Sequence, residues 1–115
     1  MKIKEPKYYY KLVFSAQWKK VEKVMKEGTV QEKRYIIEAL SSASVQRDDC
    51  YNLLLEIMLR PEDKEITLAA VEGIGNSGRS AALSQLDHLL LQTQDQELLD
   101  AIQKARHKLK SREHC

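Results

Sequence analysis

The sequence predicts an all-α chain built as a short solenoid of about three stacked helical hairpins, and three observations predict it. Apolar residues recur at spacings of three and four almost throughout the chain, the pattern of helices that each bury one face. The breaks between these stripes carry residues that stop one helix and start the next, so the links are short and consecutive helices must run antiparallel. The stripes also recur in a register of thirty-odd residues, which stacked hairpins require and a globular bundle does not. With 115 residues, 43% of them apolar and 31% charged, the chain suits one soluble domain, 1–115, with a modest core.

Taken in order, "KYYYKLVF" holds β-prone residues but reads best as a ragged first helix, so residues 1–12 are expected to form a lead-in or cap. Phe14, Trp18, Val21, Val24 and Met25 make the first stripe. Gly28 follows it, where a left-handed residue can end a helix without a Cβ clash. Thr29 and Glu32 read T-x-x-E, a capping box that satisfies free amides at the start of the next helix, whose stripe is Ile36, Ile37 and Leu40. Ser44 is expected to cap a helix from about Val45, carrying Tyr51, Leu54, Leu55, Ile57 and Met58. Pro61, whose missing N–H costs nothing in a first turn, opens a helix through "EDKEITLAAVEGI" with Leu68, Val71 and Ile74 on its stripe. Leu83, Leu86, Leu89 and Leu90 mark the next helix, and Thr93 with Gln96 repeats the capping device. Leu98, Leu99, Ile102, Ala105 and Leu109 mark the last, leaving 111–115 as a frayed tail.

The repeat is explicit. Shifts of 33 and then 32 residues carry Val21, Val24 and Met25 onto Leu54, Ile57 and Met58, and those onto Leu86, Leu89 and Leu90. Trp18, Tyr51 and Leu83 coincide, and Gly28 falls on Pro61. Shifts of 34 and 31 align the intervening helices, with Ile37, Val71 and Ile102 in one set and Leu40, Ile74 and Ala105 in another. Two interleaved series of helices therefore share one period.

Within this register, "EITLAAVEGIGNSGRSAALSQLDHLL" resembles a HEAT-like repeat of the bacterial, bilin-lyase type: a helix ending in A-x-x-x-[LI]-G, a turn of small residues, and a second leucine-rich helix. Ala70, Ile74, Gly75 and Leu86 match that pattern. The resemblance is strongest over 63–92 and extends over 30–60 and 94–110. It implies a right-handed stack of helix pairs in which the second helix of each pair lines the concave side. The family it points to includes scaffolds, chaperone-like partners, bilin-lyase relatives and DNA-repair glycosylases.

"GIGNSG", Gly73 to Gly78, has the G-x-G-x-x-G spacing of a dinucleotide site. That chemistry needs the glycines to follow a buried strand inside a βαβ unit. Here Ile66, Ala70, Val71 and Ile74 share one helical face, so the glycines are expected where helices approach closely and where a helix ends, with Gly78 turning the chain before Arg79.

Catalytic and metal-binding patterns are scarce. His88, His107 and His114 stand apart, no serine sits in a nucleophile elbow, and His114 with Cys115 offers two ligands on a chain end. Asp48 with Asp49, and Glu62 with Asp63, fall at helix starts, where carboxylates complement the helix dipole. Cys50 reads as a small core residue and Cys115 as a mobile thiol. No catalytic residue, cofactor or metal is therefore expected. The longest apolar run, "YNLLLEIML", is broken by Glu56 and falls short of the ~18 residues of a membrane span. The N-terminus has no apolar core like that of a secretory signal, and the expected compartment is the cytoplasm.

Net charge is +2, but it is divided: residues 1–34 carry ten Lys and Arg against four acids, 35–103 four against twelve, and 104–115 five against one. An acidic middle repels phosphate, which weighs against a uniform nucleic-acid binder. The register sets Lys19, Asn52 and Ser84 in one row and Lys23, Glu56 and His88 in the next, between the apolar stripes. Leu59 and Leu91 add an apolar strip after Lys26. A mixed ladder of this kind suits a protein or peptide partner, so the leading expectation is a non-catalytic interaction module, an adaptor, scaffold or regulatory protein that binds its partner on the concave helix face, monomeric or weakly homodimeric. The alternative is a nucleic-acid-associated protein using Lys19, Lys20, Lys23 and Lys26 at one end and Lys104, Arg106, Lys108 and Lys110 at the other. A HEAT-like lyase or glycosylase ranks third, because no acid, base and nucleophile cluster.

Overall fold

A computed structural model of the chain describes residues 4–60 and 63–113. Among the described residues there are seven helices and no strand: α1 Pro6–Phe14, α2 Trp18–Glu27, α3 Val30–Ser44, α4 Asp48–Leu59, α5 Lys64–Asn76, α6 Ala82–Gln92 and α7 Gln96–Glu113. The aromatic N-terminal segment is helical, opened by Pro6 in its first turn. Tyr9, Leu12 and Val13 are buried in the core there. Phe14, expected on the stripe of the following helix, instead ends α1 and is half exposed. At the other end α7 remains helical to Glu113, within the segment expected to fray.

The helices form two sets. α1, α3, α5 and α7 pack each on the next, while α2 lies on α1 and α3, α4 on α3 and α5, and α6 on α7. α2, α4 and α6 do not pack closely on one another. The radius of gyration is 13.7 Å, against about 13 Å for a compact domain of this length.

Burial follows the sequence register. Val21, Leu54 and Leu86 are all buried, as are Ile37, Val71 and Ile102, and Leu40, Ile74 and Ala105. Small residues let the first set come close. A Cβ on Gly75 would lie 3.0 Å from the Cα and Cβ of Ala105, and one on Gly73 would lie 3.2 Å from Ser41 Cβ. The "GIGNSG" stretch is thus helix interior through Asn76, followed by a turn in which Gly78 takes φ 72°.

The helix ends agree with the sequence in some places and depart from it in others. Thr29 and Glu32 form the expected capping box, with Glu32 N–H donating to Thr29 Oγ1 at 3.1 Å and Thr29 N–H to Glu32 Oε1 at 3.0 Å. Gly28 ends α2 but is extended rather than left-handed, at φ −74° and ψ 168°. It is needed for space, because a Cβ there would meet Val24 O at 2.6 Å. Ser44 does not cap α4. It is the buried last residue of α3, donating its hydroxyl to Ser41 O at 2.7 Å, and α4 begins only at Asp48. Thr93 likewise turns back to Leu89 O, at 2.8 Å, and α7 is capped by Asp95, whose Oδ1 accepts from Leu98 N–H at 3.1 Å. In both cases a hydroxyl bonds to the preceding helical turn instead. The expectations for Pro61, Glu62, His114 and Cys115 lie outside the described residues.

Candidate interaction surface

Lys19 and Lys23 lie on α2, Asn52 and Glu56 on α4, and Ser84 and His88 on α6, and all six are exposed. Each set alternates with buried residues of the same helix, Val21 and Met25, Leu54 and Met58, and Leu86. Three of them have local partners. Glu56 accepts from Arg60 at 2.7 Å, Ser84 donates to Ala81 O at 3.3 Å, and His88 lies 3.2 Å from the Gln92 amide. Leu59 and Leu91, the expected apolar strip, are 40% and 87% exposed; such exposure leaves most of the Leu91 side chain in water at the end of α6.

Because α2 and α4 rest on α3 without closing on each other, a cleft of ≈ 210 Å³ opens between them, with Val21, Met25 and Leu53 as its apolar lining and Glu22, Lys26 and Arg60 at its polar edge. Lys19, Lys20, Lys23 and Lys26 are exposed along α2, and the ion pairs among the described residues include none of them. The other set of helices carries two further grooves, ≈ 330 Å³ over α3 and α5 and ≈ 600 Å³ between α5 and α7. Their charged linings are of both signs: Glu38, Glu72 and Asp100 stand beside Arg34, Lys104 and Lys108.

Two arginines outside the apolar stripes join neighbouring hairpins. Arg47, before α4, donates to Phe14 O at 3.2 Å and lies over the Trp18 ring. Arg79, before α6, donates to Ser44 O at 2.7 Å and lies over the Tyr51 ring. Each therefore caps the C-terminal carbonyls of the previous hairpin's first helix and covers the aromatic residue near the start of its second. The signal was present, since Arg47 and Arg79 are 32 residues apart and Trp18 and Tyr51 33 apart. A search for apolar stripes alone does not register it.

Titratable groups elsewhere are held structurally. Burial pushes the Cys50 thiol up to about 11, so it stays protonated at neutral pH and is a poor nucleophile. Among the described residues no three His, Cys, Asp or Glu come together to hold a metal ion, and no helix is long and apolar enough to cross a membrane. The chain matches no protein-family model, no curated protein and no solved structure.

Proposed function

We propose that the chain is a short right-handed HEAT-like solenoid, with hairpins α1–α2, α3–α4 and α5–α6 followed by α7, and that it acts in the cytoplasm as a non-catalytic module that binds a protein or peptide partner. The fold reading is supported by the shared burial register and by the repeated arginine contact between hairpins. The observation that carries the functional reading is that the six residues of the ladder are all exposed on three helices of one set, two of which, α2 and α4, border a cleft edged by Glu22, Lys26 and Arg60. We assign the partner to the openings between α2, α4 and α6 rather than to a smooth concave wall, because helices inside a curve crowd together and these stand apart.

Affinity capture from the native cell extract tests this, comparing the wild type with the Lys23→Ala, Glu56→Ala, His88→Ala triple variant. All three positions are exposed, so the variant is expected to fold and to lose partners that the wild type retains. Recovery of the same partners by both proteins would remove the ladder from the account.

A further inference from the structure

We propose that the groove between α5 and α7 docks a second copy of this chain, the two α7 helices lying antiparallel about a two-fold axis, an inference independent of the ladder. α5 and α7 run in the same direction: Lys64, at the start of α5, reaches Glu97 at 2.8 Å, and Lys108 donates to Asn76 Oδ1, at the end of α5, at 2.9 Å. The groove between them measures ≈ 600 Å³. Half-buried Leu68 and Ala101 give it a small apolar floor, with Ala105 closed off beneath by Gly75.

The order of charge along the groove selects the occupant. Glu97, Asp100, Lys104 and Lys108 are all exposed, line the groove and recur at helical spacing, acids first and bases after. The helix dipole favours acids in the first turn, but it fades within a turn and does not account for Lys104 and Lys108, which lie short of the last turn before Glu113. Glu97 and Lys108 are equidistant from the midpoint between Ile102 and Gln103, and Asp100 and Lys104 miss that symmetry by one residue, about 1.5 Å of rise. An antiparallel copy centred there sets Glu97 against the partner subunit's Lys108 and Asp100 against the partner subunit's Lys104. Glu72 on α5 is level with Ile102, because Gly75 faces Ala105, and adds a second carboxylate beside the partner subunit's Lys104. The stripe is thus its own complement, as an interface that uses the same patch on both subunits requires. Local partners compete weakly: Glu97 and Lys64 are 63% and 45% exposed, and pairs so exposed contribute little. Duplex or single-stranded nucleic acid fits less well, since Glu72, Glu97 and Asp100 repel phosphate. The groove includes no residue of α2, α4 or α6, so the dimer leaves the ladder open.

The test is sedimentation equilibrium of the full chain from ~10 µM to ~1 mM, the range of weak association. The expected result is a monomer–dimer equilibrium that added salt weakens. The Lys104→Glu, Lys108→Glu variant makes the stripe wholly acidic, and the Glu97→Lys, Asp100→Lys variant makes it wholly basic. Each alone should raise the dissociation constant about tenfold or more, whereas an equimolar mixture of the two should associate at least as well as the wild type. The Lys19→Glu, Lys23→Glu variant on α2 should dimerise as the wild type does. Melting curves establish that every variant is folded. A chain that stays monomeric to ~1 mM, a dimer indifferent to both reversals, or a mixture that fails to associate would overturn the inference. Loss of the dimer in the α2 variant alone would also overturn it, and would move the contact to the ladder.

Discussion

Arg79 sits over the face of Tyr51 with its guanidinium carbon 4.9 Å from the ring centroid, while its Nε donates to Ser44 O at 2.7 Å. One side chain thus covers the aromatic of α4 and ties off the end of α3. Arg47 repeats the arrangement on Trp18, at 6.0 Å, one hairpin earlier. A charged donor to a carbonyl is worth ~1.5–3 kcal/mol and the ring contact ~0.5–2 kcal/mol, against the entropy of fixing the side chain. Arg79→Ala is expected to cost about 2 kcal/mol, a fall in Tm of roughly 8 °C. Asp48→Ala, which removes the ion-pair partner of Arg79 but is 83% exposed, should cost under ~0.5 kcal/mol. Thermal melts of the two variants check the ordering.

Tyr9 is buried against α3, and its hydroxyl donates to Glu32 Oε2 at 2.8 Å. The backbone N–H of Thr29 and this hydroxyl hold the Glu32 carboxyl below its usual range. Asp49 is lowered by Arg47, and Asp95 by Lys64. A carboxylate depressed in the fold contributes stability that is fully present above its unfolded pKa, near 4, and is lost as pH falls through the folded value. Stability should therefore hold from neutral pH down to about 5 and decline below about 4. Glu32→Gln should be less stable at neutral pH and show a shallower acid decline. Denaturant titrations at several pH values provide the measurement.

Gly75 is expected to tolerate no side chain, because Ala105 of α7 already lies against the site of its Cβ. Gly75→Ala gains up to ~1 kcal/mol of helix propensity, but it must push two backbones apart, at ~1–3 kcal/mol. The net effect should be destabilising. Adding Ala105→Gly should recover part of the loss, since it removes one of the two opposing atoms. A double-mutant cycle that shows no coupling would contradict this contact.

Ala16 stands at φ 57° in the turn after α1, with Gln17 N–H bonded to Leu12 O at 2.9 Å and Ala16 N–H to Val13 O at 3.0 Å. This is the Schellman closure that usually employs glycine, and the left-handed conformation costs an L-residue ~1–2 kcal/mol. Ala16→Gly releases that strain while making the unfolded chain more flexible. The expected result is a gain of about 0.5 kcal/mol, read as a rise of a few degrees in Tm.

Much of the helical pattern was legible because burial follows periodicity directly. Ile36, Ile37 and Leu40 on α3, and Ile66, Ala70, Val71 and Ile74 on α5, are buried as their spacing implies. Helix ends were less legible, because Ser44 and Thr93 each had two available acceptor or donor roles and took the one facing the preceding turn. Phe14 was assigned to the wrong helix because the three-residue turn at Ser15 to Gln17 contains neither Gly nor Pro. The cleft could not be read at all, since it depends on how far apart α2 and α4 come to rest on α3, a tertiary distance that neither helix encodes alone. The exposure of Lys19, Lys23, Asn52, Glu56, Ser84 and His88 was legible from the gaps between apolar stripes.

Binding by the exposed ladder is read most directly as a footprint of the bound partner on the full chain, by amide chemical-shift mapping with a captured partner. The expected result is a continuous set of shifts on α2, α4 and α6 that includes Lys23, Glu56 and His88. Shifts confined to α3, α5 and α7, with α2 unperturbed, would contradict it.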